Sequence, residues 1–251
     1  VCLFLRTNKG VELTEAGRSL YQQSQHMFQN FRMMVDSVRD VDAGVRGLLK
    51  VGVVYSNTPV VLNYLKAYHK EYPQVELYIR VGAPGDLLDD LNRGDLHVLF
   101  LRTPTEGSSD FHEKILGEDP LELVMCPELD PAPDQDSIPI ELLKDVPMCL
   151  LRSDDLWGYS SHLINECQRK GFTPNTVCQC YDTPMTMQLV QAGFGISYLP
   201  RSIVETHPGS NIYSKPLVGL PAKSYPTLLW SSNIYYANCV KRFISMFGYP
   251  T

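Results

Sequence analysis

The chain has 251 residues, enough for one large or two smaller domains, and its 44% hydrophobic and 20% charged content excludes wholesale disorder. No apolar run is long enough to span a bilayer, and residues 1–5 are too short and lack the basic lead-in of a secretory signal, so the expected location is cytoplasmic with no membrane partner. The net charge of −6 is uneven: residues 1–46 carry +1 and the remainder −7, so any contact with nucleic-acid phosphate belongs to the N-terminal piece.

The chain opens with Leu3-Phe4-x-Arg6, then a short basic turn from Arg6 to Lys9, with Gly10 available for a conformation other residues resist. Thr14 stands where a helix N-cap belongs, and Glu15 in the first turn faces the positive helix end. From residue 14 to about 43 there is no proline and no internal glycine except Gly17. Leu20, Ser24, Met27, Phe31, Met34, Val38 and Val41 recur in alternating steps of four and three, a heptad seam with one polar member. Phe28 and Val35 would widen the stripe if the helix docked on its own domain. The length and the 3.5-residue spacing favour pairing between copies, through Leu20, Met27, Phe31, Met34, Val38 and Val41.

Gly44 and Gly47 close the helix. A nearly all-apolar strand follows at 48–55, then a helix at 59–71, a strand at 75–81, a helix at 87–92 and a strand at 96–101. This βαβαβ run implies a doubly wound sheet with right-handed crossovers. Two more strands are expected at 111–116 and 121–126, and a Pro- and Asp-rich surface loop at 127–139. The pattern then restarts: a helix near 140–144, a strand at 148–152, helix 159–170, strand 176–181, helix 185–192 and strand 195–199. A strand at 225–230 and a helix at 237–247 close the chain. Two similar halves, entered near Cys126 and left near Pro226, give two lobes with two crossings.

Hairpin, cap and long helix resemble the wing and linker helix of the LysR-type transcriptional regulators, through Leu3, Phe4, Arg6, Leu13, Thr14, Ala16 and Gly17. The resemblance continues in Tyr72-Pro73 with Val75-x-Leu77, in Leu91-x-x-Gly94-x-Leu96, and in Val190-Gln191-Ala192-Gly193-Phe194-Gly195-Ile196-x-x-Leu199-Pro200, and so covers essentially the whole chain. His97 stands where that family usually has an acidic residue. The resemblance implies an α/β fold: a two-lobed periplasmic-binding-protein-like (type II) effector domain at 47–251, preceded by a linker and dimerisation helix at 14–46 and the wing remnant of a winged helix-turn-helix at 1–13. Lobe I would comprise 47–126 and 226–251, and lobe II 127–225. It also implies a homodimer or homotetramer that acts on DNA through a recognition helix lying before Val1. Arg6 and Lys9 at the wing would touch phosphate or the minor groove, or else form a solvated turn.

In open α/β sheets, ligands bind beyond the carboxyl ends of the strands. There the sequence places Ser56, Asn57 and Thr58, either an anion site at a helix start or a plain N-cap followed by Pro59. Gly82 and Ala83 follow the second strand. Arg102 and Thr103 end the third, with Arg102 either clamping a carboxylate or pairing on the surface with Asp110 or Glu106. Trp157 would stack on a ligand or serve as a hydrophobic lid, and Asp182 and Thr183 begin another helix. The resemblance puts an effector pocket at Ser56 to Thr58, Arg102, Trp157 and Thr183, and implies a small effector, an organic acid. The expected function is therefore a metabolite-sensing transcriptional regulator. The alternative is a solute-binding protein of a transport system, against which the N-terminal helix and the missing export signal speak.

Catalysis is not expected: there is no nucleophile elbow, phosphate loop or dinucleotide fingerprint, and the six histidines are scattered. The seven cysteines form no zinc-type pair of pairs, so no metal or cofactor is expected and most read as reduced, buried small hydrophobes. Cys178 and Cys180 differ: two apart in a strand they share one face, which leaves a redox or metal role open.

Overall fold

The computed structural model describes residues 1–7, 10–40, 45–103, 111–151, 159–207, 211–220, 222–232, 234 and 236–249. Lys9, Val41 and Trp157 lie outside the described residues, as do the side chains of Val38 and Thr103.

The chain begins with an antiparallel hairpin of β1 (Phe4–Thr7) and β2 (Gly10–Leu13), with Phe4 opposite Leu13 and Arg6 opposite Val11. It leads into α1 (Glu15–Asp40). Thr14 is the cap the sequence predicts: its Oγ1 accepts from Gly17 N at 2.9 Å. The same residue ties helix to hairpin, because its N donates to Leu3 O (3.0 Å) and its hydroxyl to Cys2 O (2.8 Å). A Cβ on Gly17 would lie 2.1 Å from Leu3 O, so any larger residue there pushes the hairpin off the helix. Along α1, Leu20, Met27, Phe31 and Met34 are each more than half exposed, so these four side chains face away from the chain's own α/β body.

In chain order there follow β3 (Gly47–Val53), a 3-10 turn at Tyr55–Asn57, α2 (Thr58–Glu71), β4 (Val75–Val81), α3 (Pro84–Arg93), β5 (Val98–Thr103), β6 (Phe111–Ile115) and β7 (Asp119–Met125). Then come β8 (Ile138–Pro139), β9 (Pro147–Leu151), α4 (Tyr159–Arg169), β10 (Asn175–Cys180), α5 (Thr183–Gln191), β11 (Ser197–Pro200), α6 (Arg201–Glu205), β12 (Tyr213–Val218), β13 (Lys223–Ser231) and α7 (Asn238–Ser245).

In the first lobe β3 runs parallel between β4 and β5, and β13 returns antiparallel along β5 with β6 on its far side. Alternate residues of these strands face opposite ways. Val51, Phe100, Leu228 and Trp230 pack with Tyr68 of α2 and Phe243 of α7, while Leu99, Leu101 and Leu229 pack with Leu87 and Leu91 of α3. In the second lobe β7 lies antiparallel between β11 and β12, β12 pairs with β8, and β10 pairs with β9. The two strand groups meet where Ile196 N donates to Pro147 O (2.8 Å) and Cys149 N to Ile196 O (2.8 Å). That approach requires Gly195, since a Cβ there would stand 2.6 Å from Pro147 O. Leu123, Met148, Leu150 and Tyr198 pack on α4, and Val124 and Leu199 on α5 and α6.

Three expectations are corrected. The sequence places the strand at 121–126 in lobe I, but β7 pairs with β13 only at Asp119 and Pro120 and with β11 and β12 from Leu121 onward, so the first crossing lies at the start of β7 rather than near Cys126. An apolar run announces a buried strand without saying which sheet buries it. The helix near 140–144 is a 3-10 turn, Ile140–Leu143. Finally, β8, β12 and α6 had no counterpart in the sequence reading. Pro216 inside β12 hides that strand, because proline cannot donate to a ladder. No helix among the described residues is long and apolar enough to cross a membrane.

Candidate functional site

The two lobes meet where β7 and β13 cross between them, with Lys223 and Ser224 paired to Pro120 and Asp119. Arg102, at the carboxyl end of β5, sits at this crossing and is buried. Its Nε and Nη2 donate to Ser56 O (3.1 and 2.6 Å), and Nη2 also to Ser202 Oγ (3.0 Å). Its Nη1 donates to Ser224 Oγ (2.8 Å) and pairs with Asp119 Oδ2 (2.7 Å). Asp119 in turn accepts from Ser202 N at 3.2 Å and from the Ser202 hydroxyl, and Ser224 Oγ donates to Asp119 O (3.1 Å). A guanidinium has five N–H groups, and these contacts occupy them.

Arg102 is therefore buried and engaged rather than a free carboxylate clamp, and Asp110 and Glu106, the ion-pair partners the sequence offers, lie outside the described residues. It is a buried tie between the first lobe's Ser56 and the second lobe's Asp119 and Ser202. Burial pushes the phenol of Tyr159, at the start of α4, up to about 12, against the downward pull of Arg102 and of hydrogen bonds with Ser224 and Ser56. The sequence reading missed Asp119, Tyr159, Ser202 and Ser224. A charged residue heading the apolar run of β7 was the one signal available.

At the start of α2 the expected anion site is partly consumed. Asn57 N donates to Val54 O (2.8 Å), Thr58 N bonds back to Tyr55 O, and Pro59 has no N–H to offer. Nor is Asn57 a plain side-chain cap. Its amide is fully buried, and neither Oδ1 nor Nδ2 has a hydrogen-bond partner among the described residues. Leaving both ends unmet costs on the order of 1–3 kcal/mol per group. Helix α5 of the second lobe packs against the Tyr55–Asn57 turn, so this amide stands where the lobes face each other. Asp182 is the N-cap of α5, its Oδ1 accepting from Met185 N (2.7 Å) and its backbone oxygen from Thr186 Oγ1 (2.8 Å), and Thr183 is buried beside it. Gly82 and Ala83 lie one strand further out, past the end of β4, and Ala83 is exposed.

His97, the departure from the family pattern, has a structural role. Its Nδ1 accepts from Lys50 N (3.1 Å) while its own N donates to Lys50 O (2.9 Å), stitching β5 to β3. Burial, with a smaller contribution from the Lys50 charge, holds the imidazole down to about 4, so it is neutral and able to accept.

Two α/β lobes joined by two crossing strands, with a polar network at the crossing, define a periplasmic-binding-like fold of type II. The chain belongs to the LysR family of transcriptional regulators and carries its effector-binding domain: residues 42–248 match the family described as "LysR substrate binding domain". Among its relatives, the HTH-type transcriptional regulator BsdA of Bacillus subtilis is 25% identical over 248 residues, spanning 98% of this chain and 85% of that protein. Full-length CbnR complexed with its target DNA superposes with a TM-score of 0.69 at 18% identity, over 99% of this chain and 84% of that one. The effector-binding domain of QuiR in complex with shikimate gives 0.68 at 17% identity, over 81% and 96%.

Proposed function

We propose that this protein is a DNA-binding regulator that works in the cytoplasm by binding rather than turnover, and that a small hydroxylated organic acid is its effector. The observation that carries the reading is the Asn57 amide, buried at the junction of the lobes with both ends unmet among the described residues. An amide presents a donor and an acceptor side by side. A carboxylate answers Nδ2, and a neighbouring hydroxyl answers Oδ1. With its guanidinium occupied, Arg102 is assigned a different role: it links the lobes whose relative arrangement the effector biases by its differential affinity. Shikimate, the ligand held by QuiR, is a carboxylic acid with hydroxyl groups and supports this class of ligand.

The exposed side chains on α1 support assembly of copies through that helix, with Leu20, Met27, Phe31 and Met34 as its seam. Arg6 is exposed on the hairpin and is the proposed backbone contact with DNA. Titration calorimetry with a panel of hydroxy acids, shikimate among them, tests the effector site. Wild type should bind at least one, and Asn57→Leu and Asn57→Asp should each weaken it by 10-fold or more. Equal affinity across the three proteins removes Asn57 from the site.

A further inference from the structure

Cys178 and Cys180 lie on the same face of β10, and their Sγ atoms are 3.8 Å apart. Strand β10 pairs with β9 alone among the described strands, and its register slips between Thr176 and Cys178. Such a slip leaves an extra residue and lets a strand bend. Cys178 is half-buried and within reach of solvent, whereas Cys180 is buried. Cys149, opposite Cys178 in the register, is fully buried.

From this geometry we infer that Cys178 and Cys180 form a reversible redox site, a dithiol that a peroxide converts to a disulfide. The more accessible Cys178 thiolate attacks one peroxide oxygen. The O–O bond breaks, leaving a sulfenic acid on Cys178 and releasing the other oxygen as water once protonated. The Cys180 sulfur then displaces the sulfenic oxygen, which departs as a second water, and the S–S bond forms. Two thiols and one hydrogen peroxide give one disulfide and two waters.

Two strand steps separate the Cα atoms by about 6.6 Å, near the upper end of the roughly 4.4–6.8 Å that disulfides span. The bond can therefore form between these two positions. Asp182, which caps α5, is two residues beyond Cys180, so the redox pair adjoins that helix start.

The test uses the full chain, reduced, desalted and treated with increasing hydrogen peroxide. Free thiols are then alkylated under denaturing conditions and the protein digested with trypsin. One peptide, residues 171–201, holds both cysteines and no other. The expected product is that peptide without alkylation and lighter by two hydrogens, restored to the doubly alkylated form by dithiothreitol. In Cys180→Ser the sulfenic acid on Cys178 has no partner and should be trapped by dimedone. The inference is overturned if both thiols stay fully alkylated throughout, if the link runs to Cys149 instead, or if Cys178 goes irreversibly to the sulfinic acid.

Discussion

Replacing Arg102 with methionine tests the tie between the lobes. Methionine keeps an unbranched chain of similar reach and removes the charge and every donor. Asp119 would be left as a buried carboxylate whose one remaining side-chain partner among the described residues is Ser202. Breaking a buried ion pair in this way costs about 3–5 kcal/mol, against a total stability of roughly 5–15 kcal/mol for a domain. The Ser56 carbonyl and the Ser224 hydroxyl lose a donor as well. Arg102→Met/Asp119→Asn is the control, because a neutral amide at 119 no longer needs a counter-charge and can still accept from Ser202. Urea unfolding at pH 7, followed by fluorescence, should show a large loss for the single variant and recovery of at least half in the double. A loss below about 1 kcal/mol, or a double variant no more stable than the single, would refute a buried charge pair as the tie.

His97 predicts a pH dependence. Its folded pKa of about 4 lies below the ordinary 6.5, so the unfolded chain binds the proton more readily between those values. Stability is therefore full above pH 6.5 and falls as pH drops towards 4, by about 3 kcal/mol at most. His97→Asn keeps an acceptor for Lys50 N but cannot titrate, and denaturant melts from pH 7 to 4 should show a shallower loss; identical slopes would exclude His97. On α1, Phe31→Ala should weaken self-association on the order of 100-fold, since one substitution removes an aromatic anchor from both copies of a symmetric interface. Sedimentation velocity across a dilution series reads this, and an unchanged dissociation constant would take Phe31 out of the seam.

Local features were the legible ones. Thr14 declares a cap because hydroxyl geometry at a helix start depends only on the next three residues. The βαβαβ run to residue 101 follows from hydrophobic period, and its strands and helices lie within a few residues of expectation. The family pattern around Gly195 carries its reason in one atom, the Pro147 carbonyl that a Cβ would strike. The site was less legible. Arg102 was marked from its place at a strand end, but its partners Asp119, Ser202 and Ser224 are 17, 100 and 122 residues away in sequence. No spacing rule connects them.

What the sequence determined by itself is the set of elements and their apolar faces: a capped helix with a heptad seam, and two runs of alternating strand and helix. Those follow from backbone propensity and from the need to bury one face of each element. Tertiary structure alone decided that β7 belongs mainly to the second lobe, that Arg102 is consumed in a tie, and that the Asn57 amide is buried with no partner among the described residues. Each depends on which distant groups meet, and a hydrogen bond is satisfied by proximity in space, which residue order does not encode locally.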